Sequence, residues 1–188
     1  EGVLLTFYAD ADGDGYGNAA DPVQACSAPN GYVSNSTDCD DNCAACYSGA
    51  TEICDGLDND CNGQTDEGAA HPDYAALMAL YNATDGANWT DHTDWGTTTC
   101  DVCGWYGVTC DANGRVTQLG LSGNNLVGSI PAGLSSLTFL EQLDLSNNAL
   151  SGCLPAVLLD LCAHVTSGNI SGNPNLSNED WADFCTNQ

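Results

Sequence analysis

The chain has 188 residues, with 26 acidic side chains against one basic one, Arg115, for a net charge of −25. Such a chain cannot grip phosphate, which argues against nucleic acid and anionic membranes and leaves divalent cations and basic surfaces as partners. No stretch is long and apolar enough to insert into a bilayer. Twelve cysteines in a short acidic chain point to disulfides in an oxidising, extracellular or cell-surface compartment. A secretion leader removed ahead of Glu1 is expected.

The cysteines divide six and six: Cys26, Cys39, Cys43, Cys46, Cys54 and Cys61, then Cys100, Cys103, Cys110, Cys153, Cys162 and Cys185. That division predicts two modules, 1–68 and 69–188, each closing its own bridges with no thiol left free. The first opens on EGVLLTFYAD, extended and apolar through Val3, Leu4, Leu5 and Phe7, with no evident partner in the acidic residues that follow. Residues 1–68 carry fourteen of the acids and no base.

Two of its segments fit the first half of an EF-hand-type loop, in which oxygens at positions 1, 3, 5, 7 and 9 surround a cation and a glycine at 6 permits the turn. The first supplies Asp10, Asp12, Asp14, the Tyr16 carbonyl and Asn18 around Gly15. The second supplies Asp58, Asp60, Asn62, the Gln64 carbonyl and Asp66 around Gly63. Position 12 is Asp21 in one and Ala69 in the other, and helical flanks are missing. A closing carboxylate is therefore expected from the DCDD run (Asp38, Asp40, Asp41) and from Glu67. Hard oxygen ligands at this density favour calcium, with two or more ions, over zinc or copper. With few large apolar residues, this module needs ions and disulfides in place of a core. The Cys43–Cys46 pair lies among acids, outside the strand–helix setting of a redox motif, and reads as a structural bridge.

FYADADGDGYGN, CSAPNGYVSNSTDCDD and GATEICDGLDNDCNGQTDEG resemble the MopE-type metal-binding repeat of bacterial secreted proteins, over nearly all of residues 7–68. Cys26, Cys39, Cys54 and Cys61 fall where that repeat has cysteines. The resemblance implies metal binding. Copper is not carried over, because His71, His92 and His164 all lie beyond the module.

From His71 the composition changes. HPDYAALMALYNATDGANW predicts a helix with Pro72 at its first position, Asp73 in its first turn and a buried stripe of Ala76, Leu77, Leu80 and Tyr81. Then Val116, Leu119, Leu121, Asn124, Leu126, Ile130, Leu134 and Leu137 recur 24 residues later as Leu140, Leu143, Leu145, Asn148, Leu150, Leu154, Leu158 and Leu161. This is a leucine-rich-repeat pattern, one short strand per turn on a concave face. A third, displaced turn holds Val165, Ile170 and Asn173, with Gly168 where a core leucine belongs. Asn124, Asn148 and Asn173 are expected to stack inside and bond neighbouring backbone.

LSGNNLVGSIPAGLSSLTFLEQLDLSNNALSGCLP resembles the plant-type repeat subclass. ALMALYNATDGANWT, WYGVTC and NGRVTQLGLSGNNL are similar to the N-terminal cap and first turn of microbial members. The resemblance implies a cap over 72–115 and repeats over 116–162, and the displaced third turn reads as a terminal cap over 163–188. It also implies a Cys103–Cys110 bridge around Trp105. Cys153 is expected to pair with Cys162, while Cys100 and Cys185 are left open. The fold class expected is thus mostly irregular and β: a disulfide-rich calcium-binding loop module followed by a short leucine-rich-repeat solenoid with an N-terminal helical cap.

The concave positions are Gln118, Gly120 and Ser122, then Gln142, Asp144 and Ser146, then Ser167, Asn169 and Ser171. They are small and polar, with no aromatic or arginine anchor for a tight peptide site. Glycosylation sequons stand at Asn35, Asn82, Asn88, Asn169 and Asn175. No nucleophile–base set or nucleotide motif is found, so the chain reads as non-enzymatic. The expected function is a secreted calcium-binding structural or adhesive protein, the head-to-tail subunit of a fibre built by donating the N-terminal strand to the next chain. The alternative is a monomeric module that recognises an extracellular protein, peptide or glycan, with the four Trp and seven Tyr available to stack on sugars.

Overall fold

The computed structural model describes residues 3–186, which divide into two compact units at the Ala70–His71 bond. The first unit is built on a three-stranded antiparallel sheet. Its strands are β1 (Leu5–Ala9), β2 (Asn18–Ala25) and β3 (Tyr32–Val33), in the order β2-β1-β3. The LTFYA run makes β1, in which Phe7 is buried while Leu5, at the strand's start on the same face, stays exposed. Central β1 pairs with β2 from Leu5↔Ala25 to Ala9↔Asn18 and with β3 at Tyr8 and Ala9. This overturns the expectation that the N-terminal strand lacks a partner in its own module. A hairpin closed through the first acidic loop supplies one.

The rest of this unit is loop, held by isolated bridges Asn18↔Asp38 and Asp38↔Tyr47 and by disulfides Cys39–Cys61 and Cys43–Cys46. Phe7 is its one large buried apolar side chain among the described residues. Glycine-rich acidic sequence offers no helix and little core, so the disulfides take over part of the core's role.

The second unit begins with helix α1 (Tyr74–Ala83), which buries Ala76, Leu77 and Leu80. The helix starts two residues after Pro72. Asp73 stands at the cap position, but its carboxylate makes no capping bond. Instead it is buried and takes Arg115 in a two-pronged ion pair, at 2.6 and 3.1 Å, plus the Val116 N–H at 2.9 Å. The single cation of the chain thus ties the cap to the first repeat.

Strands β4 (Val108–Cys110), β5 (Val116–Gly120), β6 (Val127–Gly128), β7 (Gln142–Asp144), β8 (Ala149–Gly152), β9 (Ser167–Asn169) and β10 (Asn175–Leu176) follow, before a short helix α2 (Trp181–Thr186). They form two sheets, β4-β5-β7-β9 and β6-β8-β10, parallel except for β4. The 24-residue spacing becomes direct register: Leu119 pairs with Leu143 and Gln118 with Gln142. Leu119, Leu121, Leu126, Leu143, Leu145 and Leu150 are all fully buried, each contributing roughly 2 kcal/mol.

The asparagine ladder closes the polar account of this core. Asn148 donates to the Leu121 and Leu145 carbonyls and accepts from the Asn124 and Leu126 N–H groups. Asn173 repeats the pattern one turn on, and Asn124 reaches back to the Asp91 backbone of the cap. In the third turn Gly168 stands in register with Leu143. A side chain there would strike the Trp181 ring at 2.1 Å, so Trp181 from α2 fills the place of the missing leucine.

The cysteines depart from expectation. Cys103–Cys110 closes the cap and Cys162 pairs with Cys185, not Cys153. The turn carrying Cys162 packs against α2, which carries Cys185, whereas Cys153 follows β8 on the outside. Cys54 and Cys100 are disulfide-bonded as well. Cys26 and Cys153 are exposed free thiols, so the chain is not fully bridged.

Candidate functional site

The two acidic loops of the first unit fold alike. In one, the Asp10 carboxylate accepts from the Gly15 N–H at 3.2 Å, Asp12 from Asp14 at 3.2 Å and Asp14 from Tyr16 at 2.7 Å. In the other, Asp58 accepts from Gly63 at 2.8 Å, Asp60 from Asn62 at 3.1 Å and Asn62 from Gln64 at 2.9 Å. Gly15 and Gly63 both take φ near +90°, at 93° and 91°, a conformation closed to most side chains. The shared spacing of acids and glycine therefore builds the same coil twice.

Three groups of carboxylates converge. Asp10, Asp12 and Asp41 form one, Asp12, Asp14 and Asp38 a second, and Glu52, Asp58 and Asp60 a third; in each, ligand oxygens lie within 4.8 Å of one another. The first two draw on loop one and on the DCDD run, where Asp41 also holds the Ala11 N–H at 2.7 Å. Glu52 closes the third and was not among the expected ligands. Its oxygens accept from the Asp60 and Asp66 N–H groups, both at 2.8 Å. Its sequence signal is its place in TEICDGLDND, just ahead of Asp58.

Other expected ligands are used differently. Asp21 is exposed on β2, and Asp40 is exposed and caps Asn42. Asp66 holds the Asp55 and Gly56 N–H groups, and Glu67 takes the Asn62 side-chain amide. None of these four joins a carboxylate group among the described residues. Glu67 keeps its Oε2 buried without a hydrogen-bond partner. Asn18 accepts from the Ala20 N–H, and the Tyr16 ring stacks on Tyr47 at 4.0 Å. Gln64 lies exposed on the loop, its N–H held by Asn62.

The second group is the most demanding electrostatically. Asp38 is only 8% exposed. Burial raises its pKa, and the like charges of Asp12, Asp14 and Asp41 push the same way, against a lowering hydrogen bond from the Asp40 N–H. One oxygen each of Asp12, Asp14 and Asp38 is buried without a hydrogen-bond partner. Unpaired buried carboxylate oxygens are costly, and a cation among them would supply the missing partner. The donor set fits a hard metal ion.

In the second unit, β5, β7 and β9 set out the concave face in rows: Gln118–Gln142–Ser167 and Gly120–Asp144–Asn169. With Thr109 of β4 these residues line a trough of about 490 Å³. Asp144 accepts from the Ser146 N–H and hydroxyl. Of the sequon asparagines, Asn169 lies on β9 within this trough; Asn82, Asn88 and Asn175 are exposed and Asn35 is half-buried. Trp89, Trp95, Trp105 and Trp181 are all buried. Three of them pack with Tyr81 as the core of the cap, which removes the tryptophans as sugar platforms. His71 has both ring nitrogens engaged, by the Gly114 carbonyl and the Asp73 N–H.

Comparison with known proteins identifies both parts. The Cu-binding MopE family, described as a "Putative metal-binding motif", matches residues 38–67. A leucine rich repeat N-terminal domain matches 70–111, and leucine rich repeats match 115–137 and 139–161. A leucine-rich repeat receptor-like protein kinase of Arabidopsis thaliana is 41% identical over 71 residues, 37% of this chain and 7% of the kinase. The MDIS1-interacting receptor like kinase 1 of the same plant is 48% identical over 42 residues, 22% of this chain and 4% of that protein. The chain thus spans less than a tenth of either relative. The BIR2 ectodomain from Arabidopsis thaliana is 34% identical, with a TM-score of 0.48, covering 56% of this chain and 57% of that one. The chain joins a MopE-type metal-binding motif to a leucine-rich-repeat cap and two repeats. No helix among the described residues is long and apolar enough to cross a membrane.

Proposed function

We propose that this chain is an extracellular, non-enzymatic recognition protein. Calcium holds its first unit together, and the concave face of its repeats binds an extended peptide segment of another protein. The observation that carries the recognition reading is the trough over β4, β5, β7 and β9, whose floor is a grid of amide, hydroxyl and carboxylate groups. Its likeness to the repeats of receptor-like kinases supports the same role. Recognition here would work by hydrogen bonding and charge in place of an aromatic anchor. With Asp144 on the floor and a net charge of −25, the favoured segment carries a lysine or arginine.

Calcium is favoured over copper because the three converging groups offer carboxylates alone, with neither histidine nor free thiol. The disulfides support an oxidising, extracellular location.

Panning a random peptide library on the full chain in calcium tests the recognition reading. Enriched peptides should carry a basic residue and lose binding to Asp144→Lys. Peptides that bind this variant and Gln142→Arg as well as the parent would refute the concave site.

A second reading, assembly with further copies, keeps one observation: Val3, Leu4 and Leu5 are 77%, 58% and 51% exposed. Size-exclusion chromatography with and without calcium separates the two. A monomer in calcium supports recognition, and large calcium-dependent species support assembly.

A further inference from the structure

We infer that the first acidic loop holds two cations and that Asp12 bridges them. The inference rests on the calcium reading above and specifies how the ions are shared. Calcium sits about 2.3–2.6 Å from its oxygens, so two oxygens on one ion are at most roughly 5 Å apart. The five carboxylates around loop one do not form one such set. They fall into two triads, Asp10–Asp12–Asp41 and Asp12–Asp14–Asp38, with Asp12 common to both. One ion per triad satisfies this geometry; a single ion for all five does not.

Three further observations point the same way. Asp38 is nine-tenths buried, and its Oδ2 lacks a partner, as does Oδ2 of Asp14. Asp12 spends Oδ1 on the Asp14 N–H and leaves Oδ2 buried and unpaired, so Oδ2 is the atom free to meet cations. Charge balance agrees. Five carboxylates around one divalent ion leave three negative charges in contact, whereas two ions leave one. Loop two, with Glu52, Asp58 and Asp60 around one ion, leaves the same single charge.

The pair of ions therefore staples residues 10–14 to residues 38–41, and binding of one ion preorganises Asp12 for the other. Loop two, which shares no ligand with loop one, binds independently.

Counting calcium per full-length chain by equilibrium dialysis tests this. The parent should bind three ions. Asp58→Ala should bind two, and Asp14→Ala and Asp41→Ala two each. The double variant Asp14→Ala/Asp41→Ala and the single variant Asp12→Ala should each bind one. The ion retained in loop two reports that the altered unit still folds. A parent that binds two ions, with Asp14→Ala, Asp41→Ala and their double variant all binding one, overturns the bridged pair and leaves the calcium reading intact. A parent that binds none overturns both.

Discussion

The two units reach order by opposite routes. Residues 71–186 bury a continuous core of leucine, isoleucine, valine and aromatic side chains, and every repeat adds a layer to it. Residues 3–70 bury one large apolar side chain, Phe7, and spend their sequence on carboxylates, glycines and cysteines. The first route is driven by apolar surface leaving water and needs no ligand. The second leaves like charges facing one another and, on the function proposed above, calls for cations between them. The contrast teaches that one chain can carry a unit built on apolar packing beside one built on carboxylates, glycines and disulfides.

The largest effect should come from breaking the apolar side. Trp181→Ala empties the slot beside Gly168, where no leucine is present to fill it. It should cost about 3–5 kcal/mol of the second unit's stability, read by denaturant unfolding followed by near-UV signals of the cap tryptophans. Calcium affinity should not move. Next, Asn148→Ala leaves the Asn124 and Leu126 N–H groups buried without an acceptor. A loss of about 2–3 kcal/mol is expected in the same measurement. The smallest effect falls on the other side: Gly63→Ala meets no atom within 4 Å but must hold φ near +91°. It should cost about 1–2 kcal/mol, seen as weaker calcium binding at loop two alone.

The repeat unit was legible because a 24-residue period returns the same residue type to the same slot, so Leu119 and Leu143 and the asparagine ladder could be placed from spacing alone. The loops themselves were legible for a similar local reason: Gly15 and Gly63 follow their acids at a fixed offset. What closes them was not. Glu52, and the choice of Asp38 and Asp41 over Asp40, depend on which distant segments the bridges and backbone bring together. Asp66 is taken by N–H groups ten and eleven residues away, while Glu67 gives one oxygen to the Asn62 amide and keeps Oε2 buried without a partner. The same limit hid the partner of β1, the Trp181 plug, and the Cys162–Cys185 pair that leaves Cys153 free.

The central claim is that cations hold the first unit and apolar packing holds the second. Hydrogen exchange of the full chain, read by mass spectrometry before and after calcium chelation, tests it most directly. The account predicts that chelation strips protection from residues 3–70, above all from β1 and from the backbone of both loops, while residues 71–186 keep theirs. Protection that survives chelation across residues 3–70, or that falls equally in both units, would contradict it.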